Sequence, residues 1–168
     1  MVAEPTPFDL IGPILADLVT QANVAVNPKP SRVIHIQPGA EVAWDEACGG
    51  GQLWGRIITI APATGTNARS SAPCGVLYWN VVLGVGLIRC VAVLKNDGAP
   101  PAPREITADG WQMTRDLQAI QQVILCHPQV QSIQNWLPSG PQGAYAGGEW
   151  TFTVRVGVCP CGPTPTPH

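Results

Sequence analysis

Apolar residues recur at three- and four-residue intervals near the start of the chain, the spacing that places them on one side of an α-helix. A helix is therefore predicted within residues 8–23. If the helix begins at Pro13, Gly12 is its cap and the proline lies in the first turn, where its missing N–H has no role. The prolines of residues 27–30 end the helix. Its predicted buried stripe is Phe8, Ile11, Leu15, Leu18, Val19 and Ala22.

A second stripe at helical spacing lies in the last third of the chain. The helix that carries it is predicted to begin near Thr107, a residue type that caps helices, with Asp109 in a first turn that favours negative charge. It should end at Cys126 or His127, because Pro128 disfavours helical geometry in the residue before it. The stripe residues are Met113, Leu117, Ile120 and Ile124.

Five segments have the alternating or continuous apolar pattern of β-strands. The clearest is residues 150–156, where Trp, Phe and two Val alternate with Thr, Thr and Arg. Residues 75–94 are apolar without alternation, which predicts a strand covered on both faces. Gly84 and Gly86 within it allow a bulge or the close approach of another backbone. The predicted strands are residues 32–37, 53–60, 75–94, 132–137 and 150–156.

The order of these elements predicts an α+β domain, a mostly antiparallel β-sheet with two α-helices packed on one face. Residues 1–158 are predicted to form this single domain, and residues 159–168 are predicted to form an extended tail rich in Cys and Pro. Glycine and proline predict loops at residues 48–51, 61–73 and 96–103, and a hairpin loop at 138–148.

The composition predicts a surface of unusually low charge. Charged residues make up only 12% of the 168 residues, about half the usual share, while Gly and Pro number 18 each. A surface so poor in charge is covered by partner subunits or is kept soluble by uncharged polar residues. The net charge of -2 and the scattering of nine basic residues disfavour a protein that binds nucleic-acid phosphates.

The chain starts without a secretion signal, so we expect it to fold in the cytoplasm. Its longest apolar run, residues 76–88, is too short to span a membrane.

No nucleophile motif, phosphate-binding loop or metalloprotease helix occurs in the sequence. Cys126 and His127 are neighbours on a helix and so do not face each other as a nucleophile and base would; a core cysteine and a histidine at the helix end are the favoured interpretation. Asp45 and Glu46 are interpreted as a solvated loop. We therefore expect no enzyme, no cofactor and no metal.

The six cysteines fall into two groups. Cys90 and Cys126 have apolar surroundings and are predicted to be buried free thiols. The other four lie in loops or the tail, where the Cys-x-Cys spacing is a weak zinc signal. Plain thiols are favoured there, followed by disulfides formed after release from a reducing cytoplasm, followed by zinc. These four are Cys48, Cys74, Cys159 and Cys161.

Trp79, Trp111 and Trp150 lie on apolar faces and are predicted to belong to the core. The aromatic residues beside loops are candidates for anchors of a protein interface, where Trp is enriched. These candidates are Trp44, Trp54, Trp136 and Tyr145.

Short motifs from about residue 38 to residue 161 resemble tail terminator proteins of long-tailed actinobacteriophages. They are Glu41-Val-Ala-Trp-Asp45 with Cys48, Gln52-Leu-Trp54, Gly86-Leu-Ile-Arg-Cys90, Asp97-Gly-Ala-Pro-Pro101, a helix with Met113 and Asp116, Gly140-Pro-x-Gly143, Gly147-Gly-Glu-Trp-Thr-Phe152 and Cys159-Pro-Cys161.

The resemblance implies a virion protein at the head-to-tail junction, assembled in the host cytoplasm. It implies a ring, usually a hexamer, that caps the tail tube and binds the tube protein on one side and the head-tail stopper or connector on the other. DNA would pass through the lumen without specific binding, and no membrane would be involved. The alternatives are another neck component, such as a stopper or tail-completion protein, or a small cysteine-based metal-binding or redox domain.

Two further expectations follow from this interpretation. A charge in the predicted hairpin loop, as in Tyr145→Asp, should impair assembly and leave the monomer folded. The isolated protein should be monomeric or weakly associated and should close its ring only on the tube or connector, because no strongly apolar stripe remains outside the predicted core.

Overall fold

The computed structural model describes residues 7–37, 50–63, 78–94 and 98–157. Along the chain the elements are α1 (Pro7–Ala25), β1 (Arg32–Gln37), β2 (Gln52–Pro62), β3 (Tyr78–Cys90), α2 (Pro103–Cys126), β4 (Val130–Gln142) and β5 (Tyr145–Gly157).

The strands form one five-stranded sheet in the order β1-β2-β3-β5-β4. β1 pairs with β2 in parallel, and the other three pairs are antiparallel. Both helices lie on the same face of the sheet and contact each other there. The predicted α+β fold is confirmed. We call the pair of helices the helix layer.

The core lies between the helix layer and the sheet. Alternate side chains of β3 and β5 point into it, and they meet the fully buried Ile120 and Ile124 of α2. The buried side of α1 matches its predicted stripe, except that the side chain of Phe8 lies outside the described part. Residues 83–88 of β3 are all buried, which agrees with the prediction that this strand is covered on both faces. The buried stripe of α1 is Ile11, Leu15, Leu18, Val19 and Ala22.

Both helices begin earlier than predicted. α1 starts at Pro7, so Pro13 lies inside the helix and Gly12 is not its cap. Pro13 is exposed, and the helix continues because the residues around it are held in the core. α2 starts at Pro103, whose missing N–H suits this position.

The start of α2 is set by a residue other than Thr107. The carboxylate of Glu105 accepts a 2.7 Å hydrogen bond from the backbone N–H of Ala102, as in a capping box. The hydroxyl of Thr107 donates to the carbonyl of Pro103. Asp109 lies beyond the first turn and accepts a bond from the N–H of Ala92 after β3.

The predicted hairpin loop at residues 138–148 is mostly strand. β4 and β5 pair through it, with Pro138 opposite Gly148, and Gly143 and Ala144 form the two-residue turn. Gly143 has a φ of 58°, which glycine adopts without strain. The glycine content suggested a loop, but here it serves close strand packing.

Candidate functional site

A buried carboxylate lies on the sheet face opposite the helix layer. Glu149 of β5 is 4% exposed. It accepts hydrogen bonds from the indole Nε1–H of Trp54 at 2.9 Å and from Nε and Nη2 of Arg56 at 2.8 Å each. Two side chains of β2 thus bind one carboxylate of β5, across the intervening strand β3.

Two glycines of β3 make room for this cluster. A Cβ atom at Gly84 would lie 2.5 Å from Cδ of Glu149, and one at Gly86 would lie 2.3 Å from Cζ2 of Trp54. The sequence predicted a bulge or the close approach of another backbone at these glycines. The structure shows instead that side chains are their nearest neighbours, with the backbone oxygen of Gly148 also close to Gly86. The register irregularity lies in β2, between Ile57 and Thr59.

The Arg56–Glu149 pair is a charged, bidentate contact. The hydrogen bond to Glu149 and the attraction of its charge raise the pKa of Arg56, against the opposing effect of burial. Arg56 therefore stays protonated at any ordinary pH. Both oxygens of Glu149 already have donors, which makes it a structural group in the folded monomer.

A second buried carboxylate joins α2 to the end of β3. Asp116 is 4% exposed and accepts bonds from Arg89 at 2.5 Å and 3.0 Å. Gln112 donates to it at 3.0 Å. Arg89 also donates to the carbonyls of Gly50 and Pro28. One guanidinium thus connects α2, the turn after α1 and the residues before β2.

The sequence pattern missed this role of Asp116. Its signal was present, because Asp116 falls on the buried side of α2, four residues before Ile120. A charge at a core-facing position of a helix points to a buried partner.

The cavity beside this pair is small. It is lined by Leu87, Arg89, Met113, Asp116 and Trp136, among others, and its volume of about 30 Å³ leaves room for no more than a few water molecules.

A larger surface cleft of about 390 Å³ lies at the other end of the core, between α1 and β5. His127, 7% exposed, lies in it with Nε2 3.3 Å from the carboxylate of Asp17. The backbone N–H of Gln129 points at Nδ1 over 3.4 Å, a long contact consistent with a proton on Nε2.

The side chain of Cys126 is exposed, so the prediction that this cysteine lies in the core is wrong. The buried residue at this end of the helix is His127.

The four predicted interface residues fall in different environments. Trp44 lies outside the described residues. Trp54 is only 2% exposed and leaves no surface for a partner. Trp136 is half-buried and packs edge-on against Trp150, with ring centroids 5.7 Å apart. Tyr145 is half-buried beside Trp54, so the charge in Tyr145→Asp would disturb the monomer as well as any contact.

The predicted core tryptophans also divide. Trp150 is 8% exposed, and its indole N–H donates to the carbonyl of Leu117 in α2. Trp79 is half-buried and packs on the core. Trp111 is 62% exposed, so its prediction as a core residue is wrong. It lies on the side of α2 that faces away from the sheet.

The cysteine predictions need one further correction. Cys90 is bonded in a disulfide, whose partner lies outside the described residues. Cys126 is a free thiol, as predicted, but it is exposed. The four cysteines of the loops and tail, the pair Asp45 and Glu46, and the tail at 159–168 all lie outside the described part of the chain.

Within the described ranges, no group of three His, Cys, Asp or Glu side chains is arranged to hold a metal ion. Neither of the two described helices is long and apolar enough to cross a membrane.

No protein-family model matches the chain. No curated protein matches it either.

Proposed function

We propose that this protein is a structural component of a phage virion, a tail terminator that caps the tail tube and joins it to the head connector as a ring, most simply a hexamer. The proposal starts from the sequence resemblance. The observation that carries it further is where the residues of that resemblance lie in the fold.

Several of the motifs meet in space. Trp54, from the motif at residues 52–54, covers Gly86 of the motif at residues 86–90. Its indole N–H donates a hydrogen bond to Glu149 of the motif at residues 147–152. Arg89 of the second motif binds Asp116 of the helix motif. Residues spread along the sequence therefore depend on one another, as expected for the signature of a fold rather than for a chance pattern.

The exposed chemistry also supports an assembly role. Among the described residues, the buried carboxylates Glu149 and Asp116 are both paired with arginines. The exposed side of α2 presents Trp111 and Leu125, 62% and 58% exposed, among glutamines and two arginines. Large exposed apolar side chains on a surface of low charge are typical of protein-binding sites.

The mechanism is geometric. Tube subunits add end to end, and a ring with one face that matches the tube and another that does not stops their addition and offers a new docking surface. Trp136 and Tyr145 remain candidates for these contacts, as does Trp44.

The test is deletion of the gene from a phage that encodes it. We expect separate heads and tails, with tails of irregular length, and restoration of joined virions by a plasmid copy of the gene. Cryo-microscopy of intact virions should place the chain in a ring at the head-to-tail junction. Joined virions of normal tail length without this chain would refute the proposal.

A further inference from the structure

Cys90, the last residue of β3, is bonded in a disulfide whose partner lies outside the described residues. Cys126, the other described cysteine, is a free thiol. A disulfide needs Cα atoms within about 7 Å of each other, so the described strands limit which cysteine reaches Cys90. The four possible partners are Cys48, Cys74, Cys159 and Cys161.

Three of the four are attached to the end of the sheet that is far from Cys90. β3 begins at Tyr78 and is paired with β5 along its whole length. At about 3.3 Å per residue, its two ends are roughly 40 Å apart. Tyr78 lies opposite Gly157, the last residue of β5, so the chain enters β3 and leaves β5 at the same far end.

The lengths of these connections exclude the three cysteines. Cys74 precedes β3 by four residues, whereas Cys159 and Cys161 follow β5 by two and four residues. A fully extended chain spans at most about 3.6 Å per residue, so all three stay within about 14 Å of the far end. A gap of about 25 Å to Cys90 remains, several times the reach of a disulfide.

Cys48 is attached at the end of the sheet where Cys90 lies. A Cβ atom at Gly51 would lie 3.6 Å from Cα of Arg89, so the two backbones touch directly beside Cys90. The carbonyl of Gly50 accepts a 3.0 Å hydrogen bond from Nη1 of Arg89. Cys48 precedes Gly51 by three residues, a span of up to about 11 Å, which is enough to reach bonding distance.

We propose that the disulfide of Cys90 is formed with Cys48. The bond closes the chain over residues 48–90 and ties the segment before β2 to the end of β3. Arg89 binds this segment through Gly50 and binds α2 through Asp116, so the covalent bond and the ion pair hold the same junction. A cross-link over so long a loop restricts the unfolded chain and thereby stabilises the fold.

The full chain is first equilibrated with glutathione disulfide. Two exchange steps convert the two cysteine thiols and one glutathione disulfide into the protein disulfide and two glutathione thiols. The remaining thiols are then alkylated, and the monomer is isolated by gel filtration. It is digested with trypsin without reduction.

Trypsin places Cys90 and its possible partners on different peptides, because Lys and Arg residues lie between them. We expect mass spectrometry to find the peptide of Cys90 linked to the peptide of Cys48. The peptides are 33–56 with Cys48, 70–89 with Cys74, 90–95 with Cys90 and 156–168 with Cys159 and Cys161.

A matched pair of variants measures what the bond contributes. In glutathione disulfide, Cys48→Ser should unfold about 5–15 °C below the wild type, and its Cys90 should be alkylated. In excess dithiothreitol neither protein has the bond, and the two midpoints should agree within about 2 °C. Cys74→Ser is the control, in which Cys90 should stay protected from alkylation in the oxidising buffer.

Linkage of peptide 90–95 to 70–89 or 156–168 would overturn the proposal, as would alkylation of Cys90 in the oxidised wild type. Equal midpoints of Cys48→Ser and the wild type in glutathione disulfide would contradict it as well. The peptide map uses the wild-type chain, so it decides the pairing even when Cys48→Ser fails to fold. These results do not depend on the gene deletion, so the disulfide and the virion role are tested separately.

Discussion

Trp54 and Glu149 lie 95 residues apart in sequence and are joined by a 2.9 Å hydrogen bond from the indole N–H to a carboxylate oxygen. With Arg56 as a third member, this contact fixes β2 against β5 across β3. The stability of the fold should therefore depend on a polar cluster as well as on the core.

Removal of Arg56 should leave a buried negative charge without its main partner. We expect Arg56→Met to lower the free energy of unfolding by about 3 kcal/mol or more, as is usual when one member of a buried pair is lost. Denaturant titration measures this.

The double variant Arg56→Met, Glu149→Gln should be much less destabilised than the sum of the two single variants, because the uncompensated charge is gone. Arg155→Met, which removes an exposed arginine above the ring of Tyr78, is the control and should change stability little. Additivity of the two single effects within about 0.5 kcal/mol would show that the pair is not coupled.

Glycine substitutions should have opposite signs at two positions. A Cβ at Gly86 collides with the indole of Trp54, so Gly86→Ala should destabilise the protein by about 1–3 kcal/mol. Gly110, inside α2, has nothing within 4 Å of the added atom. Gly110→Ala should stabilise by about 0.5–1 kcal/mol through helix propensity. Thermal unfolding of both variants checks the signs, and a neutral Gly86→Ala would contradict the close packing.

Replacement of Arg89 by lysine should loosen the contacts between α2, the turn after α1 and the start of β2. Arg89 donates to Asp116 twice and to two backbone carbonyls, a geometry that a single ammonium group cannot reproduce. Arg89→Lys should speed hydrogen exchange at the start of β2 and in the middle of α2. Arg115→Lys, on the exposed side of the same helix, is the matched control and should leave exchange unchanged. Equal exchange in both variants would mean that Arg89 does not connect these elements.

The cysteines should differ in reactivity. Cys126 is free and exposed and should be alkylated rapidly in the native, unreduced protein, whereas Cys90 should react only after reduction. Peptide mass spectrometry reads both sites. Labelling of Cys90 before reduction would contradict its disulfide.

The sequence alone determined the class of the fold and most of its elements, because these follow from local periodicity. The stripe of α1 and the alternation of residues 150–156 are set by which side of an element must avoid water. The end of α2 at Cys126 is set by Pro128, which disfavours helical geometry in the residue before it. Residues 138–148 were wrongly predicted to be a loop because of their glycines. Glycine is common in loops, but it also occurs in strands where a neighbouring side chain packs closely on the backbone.

Only the tertiary structure decided where the polar and aromatic residues lie. The burial of Trp54 with Glu149, the role of Asp116 and the exposure of Trp111 depend on strands and helices distant in sequence. The apolar character of a tryptophan does not show whether it is buried or exposed. An indole can pack against a glycine of the next strand, as Trp54 does, or lie on the surface, as Trp111 does. The pattern along the chain fixes which residues share a side, and the physical contacts between elements decide which side is covered.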